Sequence, residues 1–304
     1  GAEASAMLLL QAAAVTASTA AGTAGKPNIW LTVGDDMGWA NAGWHNADNV
    51  VTPAMDKMIK EEGIELDRHY VFFYCSPTRS SLMTGRLPAH VSEDNGNACT
   101  AEGAAPRPMA TIADKLKSVG YQTHQIGKWH LGQNHNGSIP AGRGFDTSIG
   151  YLGGAEDHYT DTNGGCGNCG SKVDLWRTDA PATGENGTVY SAYRYNDEAL
   201  AVINRHDPKQ GPLFTYLALQ CAHAPNEGDV YAELYGKYTS EYADYNGMIS
   251  AIDDVVKNVT NALKAKGLWE NTLFVFTSGT VTCGLRLAPR VPSHPRKPTR
   301  RQWW

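Results

Sequence analysis

An α/β fold, with a mostly parallel central sheet and helices on both faces, is what this sequence predicts, and three observations predict it. From Lys26 onward, apolar runs of strand length alternate with helical patterns, an order that generates parallel pairing through crossover helices. Two late runs, PLFTYLALQCAHAP and NTLFVFTS, are apolar over most of their length and read as buried strands. The chain of 304 residues is 41% hydrophobic and carries 32 glycines, which suits a globular enzyme with an ample core rather than a disordered polymer.

In chain order, PNIWLTVGDD is an apolar strand that runs into Asp35, Asp36 and a turn. TPAMDKMIKEEG is a helix, with Pro53 near its start and Gly63 beyond its end. IELDRHYVFFYC is the second strand region, its aromatic run YVFFY buried. A helix follows, with Ser76 as N-cap, Pro77 as first helical residue and Gly85 as stop. Cys75 then sits at a strand-to-helix corner over the positive end of a helix dipole, where unpaired backbone N–H groups attract anions. Arg79 can reach back over one turn toward the same spot. TIADKLKSVG is a short amphipathic helix closed by Gly120, and the strand YQTHQIGKWHLG follows it. The stretch 133–190 is rich in Gly, Asn and Asp and reads as loop. YNDEALAVINRH is a helix, PLFTYLALQCAHAP a strand ending in Cys-Ala-His, and YADYNGMISAIDDVVKNVTNALKAKG the longest helix, stopped by Gly267. NTLFVFTS is the last strand.

Composition narrows the function. Lys and Arg number 26 against 31 Asp and Glu, so no global charge argues for nucleic acid as a partner. Beyond residue 25 no apolar run approaches the ~18–20 residues needed to span a bilayer, which predicts no stable membrane insertion. The stretch MLLLQAAAVTASTAAGTAG has the apolar core and small-residue run of a secretory signal peptide, without a basic n-region. Residues 1–25 are therefore expected to be a signal-peptide-like or disordered leader, and the protein to follow the secretory pathway to a lysosomal or extracellular destination. Sequons at Asn136, Asn186 and Asn258 point to a glycoprotein. Among six cysteines, Cys166 and Cys169 lie in the Gly-rich NGGCGNCGS. They predict a short loop disulfide rather than half a zinc site, because no second Cys/His pair stands at finger spacing.

In open α/β sheets, functional groups gather beyond the carboxyl ends of the strands. Asp35 with Asp36, Cys75 with Arg79, Lys128 with His130, and His223 all fall there. The carboxylates offer oxygen ligands to a hard divalent cation, and the basic groups answer the charge of an oxyanion ester. His45, His124, His135 and His158 are expected on the surface or in loops, and Trp39 and Trp44 in packing.

Two long motifs add a resemblance. CSPTRSSLMTGR matches a sulfatase signature, with Cys75, Pro77, Arg79, Leu82, Thr84, Gly85 and Arg86 in place, and GYQTHQIGKWHLG (120–132) matches the second signature. PNIWLTVGDDMGW, LALQCAHAP and YLGGAEDHY support it, and the similarity covers about residues 26–278. The chain thus resembles the sulfatase family, in particular arylsulfatase B-like enzymes of the N-acetylgalactosamine-4-sulfatase type. The resemblance implies an alkaline-phosphatase-like sandwich, with residues 26–278 as the catalytic domain. It implies that a formylglycine-generating enzyme oxidises Cys75 to formylglycine, whose hydrated aldehyde attacks a sulfated carbohydrate or aryl sulfate. One Ca²⁺ would be held by Asp35, Asp36 and the modified residue 75. Arg79 would hold the hydrate, Lys128 and His223 the sulfate and leaving oxygen, and His130 would orient the hydrate and help eliminate sulfate.

The chain departs from that pattern after Ser278. The family calls for Asp-Asn-Gly there, completing the metal site, whereas this sequence continues GTVTCGLRLAPR. Residues 279–304 hold six Lys and Arg, no Asp or Glu and several prolines, and are expected to be a basic tail without family resemblance. The family's smaller C-terminal domain is expected to be absent. A hard cation takes ~6–8 oxygens, so the alternative to an active enzyme is a degenerate, weak or inactive sulfatase-like protein. A phosphatase or phosphodiesterase on the same fold is disfavoured, because that wider superfamily usually carries Ser or Thr where Cys75 stands.

Overall fold

The computed structural model describes residues 25–279, apart from 93, 95, 97, 98, 101, 102, 104, 164–171, 188 and 239. The leader, most of the basic tail and the Cys166–Cys169 pairing lie outside the described residues.

The sheet is built from β1 (Asn28–Asp35), β2 (Gln122–Gly127), β3 (Thr147–Gly150), β4 (Trp176–Arg177), β5 (Ala180–Pro181), β6 (Leu213–Ala222) and β7 (Thr272–Ser278). Their spatial order is β5-β4-β3-β2-β6-β1-β7. The central pairs are parallel, and only the short β4 and β5 run antiparallel. Parallel pairing brings the carboxyl ends of β1, β2, β6 and β7 to one edge, with Gly34 beside Ser278 and Asp35 beside Ala222.

Both faces are covered, and the strands alternate between two cores. Trp30, Leu217, Leu219 and Cys221 face one cluster, with α5 (Ser191–Arg205) and α6 (Ser240–Ala265). Leu31, Val33, Phe214, Tyr216 and Ala218 face the other, with Met83 of α2 (Cys75–Thr84) and Ala113 of α4 (Ile112–Ser118). The helix α6 buries Ile249, Ile252, Val256, Val259 and Leu263 along one stripe. The start of α4 is closed by a capping box, in which the Thr111 hydroxyl accepts from Asp114 N at 3.1 Å and Asp114 Oδ2 accepts from Thr111 N at 2.8 Å. Proline opens α1 (Pro53–Glu61) and the four-residue α3 (Pro88–Val91).

Two expectations need correction. The segment IELDRHYVFFYC forms no strand, and Ile64, Leu66 and Tyr70 are 87%, 69% and 84% exposed. Its aromatic, β-branched composition favours strand locally, but a strand needs a ladder partner, and both sides of β1 are taken by β6 and β7. The next helix begins at Cys75, with Tyr74 as N-cap and no side-chain cap, so Ser76 and Pro77 lie inside its first turn. Gly85 does stop it, at φ 68°, donating to Ser81 O at 2.8 Å.

Leu217 lies in the middle of β6 and is fully buried. Leu217→Ala is expected to cost about 2–5 kcal/mol through lost burial and the cavity left behind. Urea unfolding of the variant against the parent chain measures it.

Candidate active site

Each functional side chain arrives at the sheet edge by a separate route. The first strand ends in Asp35, and Asp36 follows it; the two are 0% and 5% exposed. Gly127 ends β2 at φ 93°, where a Cβ would lie 2.0 Å from the Ala218 carbonyl oxygen. Only glycine lets β2 and β6 approach so closely while the chain turns, and the turn delivers Lys128 into the centre. His223 follows the end of β6, and α2 contributes Cys75 and Arg79 from adjacent turns.

The groups converge on Asp35. Its Oδ2 accepts a short hydrogen bond from Lys128 Nζ and lies 3.4 Å from Arg79 Nη2. Lys128 Nζ is 3.4 Å from Cys75 Sγ. Arg79 is held in place by its Nη1, which donates to Lys128 O at 3.1 Å and to the Tyr216 hydroxyl at 3.0 Å. His223 Nδ1 donates to Ala224 O at 2.7 Å, which leaves Nε2 facing Asp36 Oδ2 at 3.8 Å. Tyr245 donates its hydroxyl proton to the Asp36 carbonyl at 2.7 Å, bracing the chain where β1 ends. His130 is buried beside the centre with φ 53°, and its N–H donates to Leu152 O at 3.2 Å.

Burial and charge separate the two carboxyls. Burial alone raises Asp35, but the Lys128 ammonium and then the Arg79 guanidinium outweigh it and hold the group well below the usual carboxylate range. Burial, followed by the negative charge of Asp35, pushes Asp36 up to about 8. Burial, and next Asp35, push the Cys75 thiol up to about 12. The expected benefit of the helix start is thus outweighed, and as encoded Cys75 is a neutral thiol. Burial, then Lys128, lowers His130 well below the ordinary histidine value and brings His223 to about 4, so both rings are neutral at neutral pH.

The residues fit a hard cation. Oδ1 of Asp35 and Oδ1 of Asp36 are both buried without a hydrogen-bond partner, an arrangement that costs ~1–3 kcal/mol per orphaned group unless something polar meets it. Asp35, Asp36, Cys75 and His223 offer ligand atoms within 4.8 Å of one another. Two of these are oxygens; replacing the sulfur at 75 by aldehyde-hydrate oxygens hardens the set. Gly279 stands where the resemblance calls for the first residue of Asp-Asn-Gly. It lies against the centre, and a Cβ there would be 3.1 Å from Asp35 Oδ1 and 3.4 Å from Arg79 Nη2.

The seven expected residues therefore lie together, but several expected bystanders are placed differently. His158 is fully buried, and His124 is 8% exposed with Nδ1 2.7 Å from the Thr147 hydroxyl. Trp44 packs on the core, whereas Trp39 is 66% exposed and stacks only on His45 at 3.9 Å. Tyr216 and Tyr245 brace the centre without a motif to announce them; their positions on β6 and α6 become informative only once the sheet is assembled.

This fold and site define an alkaline-phosphatase-like α/β protein with a buried carboxylate pair capable of holding a metal. Residues 27–280 match the sulfatase family, and the chain belongs to it. It is 35% identical to mouse arylsulfatase J over 273 residues, 85% of this chain and 43% of that protein. Mouse N-acetylgalactosamine-6-sulfatase is 31% identical over 270 residues, 85% of this chain and 51% of that protein. Among solved structures, Ps i-CgsB in complex with k-i-k-neocarrahexaose matches with TM-score 0.75 at 29% identity, over 84% of this chain and 58% of that one. The phosphonate monoester hydrolase of Agrobacterium radiobacter shares the fold, with TM-score 0.54 at 20% identity, over 84% of this chain and 62% of that one. The chain spans about half the length of the curated relatives it matches.

Asp36 has a folded-state pKa of about 8 against an ordinary 3.8. Without a cation, this lowers stability increasingly as pH rises between those values, because the unfolded chain sheds the proton first. A cation must displace that proton. Binding of a divalent cation is expected to release about one proton at neutral pH and to tighten roughly tenfold per pH unit up to about 8. Calorimetry in buffers of different ionisation enthalpy reads both, and Asp36→Asn should abolish the proton release.

Proposed function

We propose that this chain is the catalytic part of an arylsulfatase-type sulfuric ester hydrolase acting on sulfated carbohydrates or aryl sulfates. Its nucleophile is formylglycine made from Cys75 by a formylglycine-generating enzyme. The convergence of Asp35, Asp36, Cys75, Arg79 and Lys128 on one buried point at the strand ends carries this reading. The neutral thiol supports it as well, since a sulfur with its pKa at about 12 is a poor nucleophile at neutral pH. The names of the relatives, arylsulfatase J and N-acetylgalactosamine-6-sulfatase, agree with the substrate class.

When bound by Asp35, Asp36 and the oxygens of the converted residue 75, Ca²⁺ supplies positive charge that polarises the ester. The protein's own groups do the rest. Lys128 and Arg79 are fixed cations in a buried site, so they stabilise a sulfuryl oxyanion without reorganising. Arg79 also orients residue 75, which it reaches from the next turn of α2. His223 turns Nε2 toward the centre and delivers a proton to the leaving oxygen once an anionic ester has raised its affinity for that proton. His130, buried with an unpaired Nδ1, orients the hydrate and helps eliminate sulfate.

A second reading, a degenerate sulfatase-like protein, draws on Gly279. Its backbone borders Asp35 Oδ1, yet glycine offers no ligand there. The exposed side chains of Asn136 and Asn186 agree with glycosylation in the secretory pathway. No helix among the described residues is long and apolar enough to cross a membrane. We assign residues 26–278 to the catalytic domain and 279–304 to a basic tail.

Coexpression with a formylglycine-generating enzyme, followed by assay with a chromogenic aryl sulfate, tests the proposal. Turnover is expected, abolished in Cys75→Ala and reduced roughly 10²–10³-fold in Lys128→Ala. A fully converted chain with no turnover would establish the degenerate reading. In that case Gly279→Asp, which adds a carboxylate beside Asp35, is expected to tighten Ca²⁺ at least about tenfold by calorimetry.

A further inference from the structure

His158 contributes no ligand to the cation cluster, yet it is fully buried and every polar atom it carries is engaged. Its Nε2 lies 3.1 Å from the His223 carbonyl oxygen and its Nδ1 2.9 Å from the Ser191 hydroxyl. The His158 N–H donates to Glu227 Oε2 at 2.9 Å, and its carbonyl accepts from Ser191 N at 2.7 Å. The ring stacks on Tyr190 with centroids 5.3 Å apart and planes 21° from parallel.

A carbonyl oxygen can only accept, so Nε2 of His158 must carry a proton, and in the neutral ring Nδ1 then accepts from Ser191. The tautomer is thereby fixed by its partners. The imidazole ties together three segments: its own loop, the first turn of α5, and the chain that leaves β6. The last of these is where His223 stands. Because His223 Nδ1 is bonded to Ala224 O in the same segment, the direction of its Nε2 follows the main chain at 223–224, and that main chain is what His158 holds.

We propose that His158 is a positioning residue for His223. By donating to the His223 carbonyl, with Ser191 fixing the ring that donates, it sets the angle at which His223 Nε2 addresses the reacting centre. A packing residue could fill the same volume against Tyr190, but it would leave the His223 carbonyl unpaired and the segment with one tie fewer, the His223 N–H on Gln220 O at 2.8 Å remaining. The proposal takes the role of His223 from the sulfuric-ester reading; the orientation itself is independent of it.

The 304-residue chain, labelled at its histidine rings, allows a test without turnover. The His223 ring signal is identified by its loss in His223→Asn. In His158→Phe, which keeps a ring over Tyr190 but no donor, the His223 signal is expected to shift or double. In His158→Gln, whose amide can again donate to the carbonyl, it is expected to return toward the parent position. Ser191→Ala, a milder change for use if His158→Phe does not fold, should move it in the same direction as His158→Phe. With an aryl sulfate, His158→Phe is expected to lower kcat roughly tenfold or more with KM little changed, as misorientation of a proton donor does. A His223 signal unmoved in folded His158→Phe, or in folded Ser191→Ala, overturns the proposal whatever the chain hydrolyses. A moved signal without aryl-sulfate turnover in the parent supports the positioning and counts against the sulfuric-ester reading alone.

Discussion

The structure turns on one buried carboxylate. Asp35 is fully inaccessible and charged, and it survives there because Lys128 and Arg79 both meet it. Two cations and one anion in a dry site are costly to desolvate, so this cluster is a weak argument for stability and a stronger one for function. The neighbouring groups are sorted by burial and by this charged cluster. Burial and the Asp35 charge together hold Asp36 and Cys75 protonated, while burial and the Lys128 charge hold the two histidines neutral.

Sheet topology makes that cluster possible. Asp35, Lys128 and His223 lie far apart in sequence but end neighbouring parallel strands, so β1, β6 and β2 set them side by side. The helix that carries Cys75 and Arg79 starts above the same edge, and Arg79 is pinned from below by Tyr216 of β6. Precision comes from packed elements rather than from mobile loops, as catalysis by positioned charge requires.

Most of this was legible in the chain before folding was considered. Apolar runs marked β1, β6 and β7, a long helical pattern marked α6, and the strand-end rule gathered Asp35, Asp36, Lys128, His130 and His223, whereas Cys75 and Arg79 reach the site on a helix with no strand directly before it. What escaped detection depended on distant partners. The YVFFY run has strand composition, but ladder pairing is decided by the assembled sheet, and this run joins no strand of it. His158 looks like a loop histidine because its partners at Ser191 and His223 are 33 and 65 residues away. The departure at Gly279, by contrast, was legible, since the resemblance calls for an Asp there and the structure sets that position against Asp35. Local chemistry is readable from sequence; burial and orientation are collective properties.

The outer strand β7 has a further consequence. Among the described residues it pairs only with β1, and Leu273 within it is 56% exposed. Ile64, Leu66 and Tyr70 are also exposed, within a segment that joins no sheet among the described residues. A strand edge is a template for pairing with a further strand. Whatever strand pairs along the side of β7 away from β1 would also fix the strand end that sets Gly279 against Asp35, so the pairing of this edge bears on the site itself.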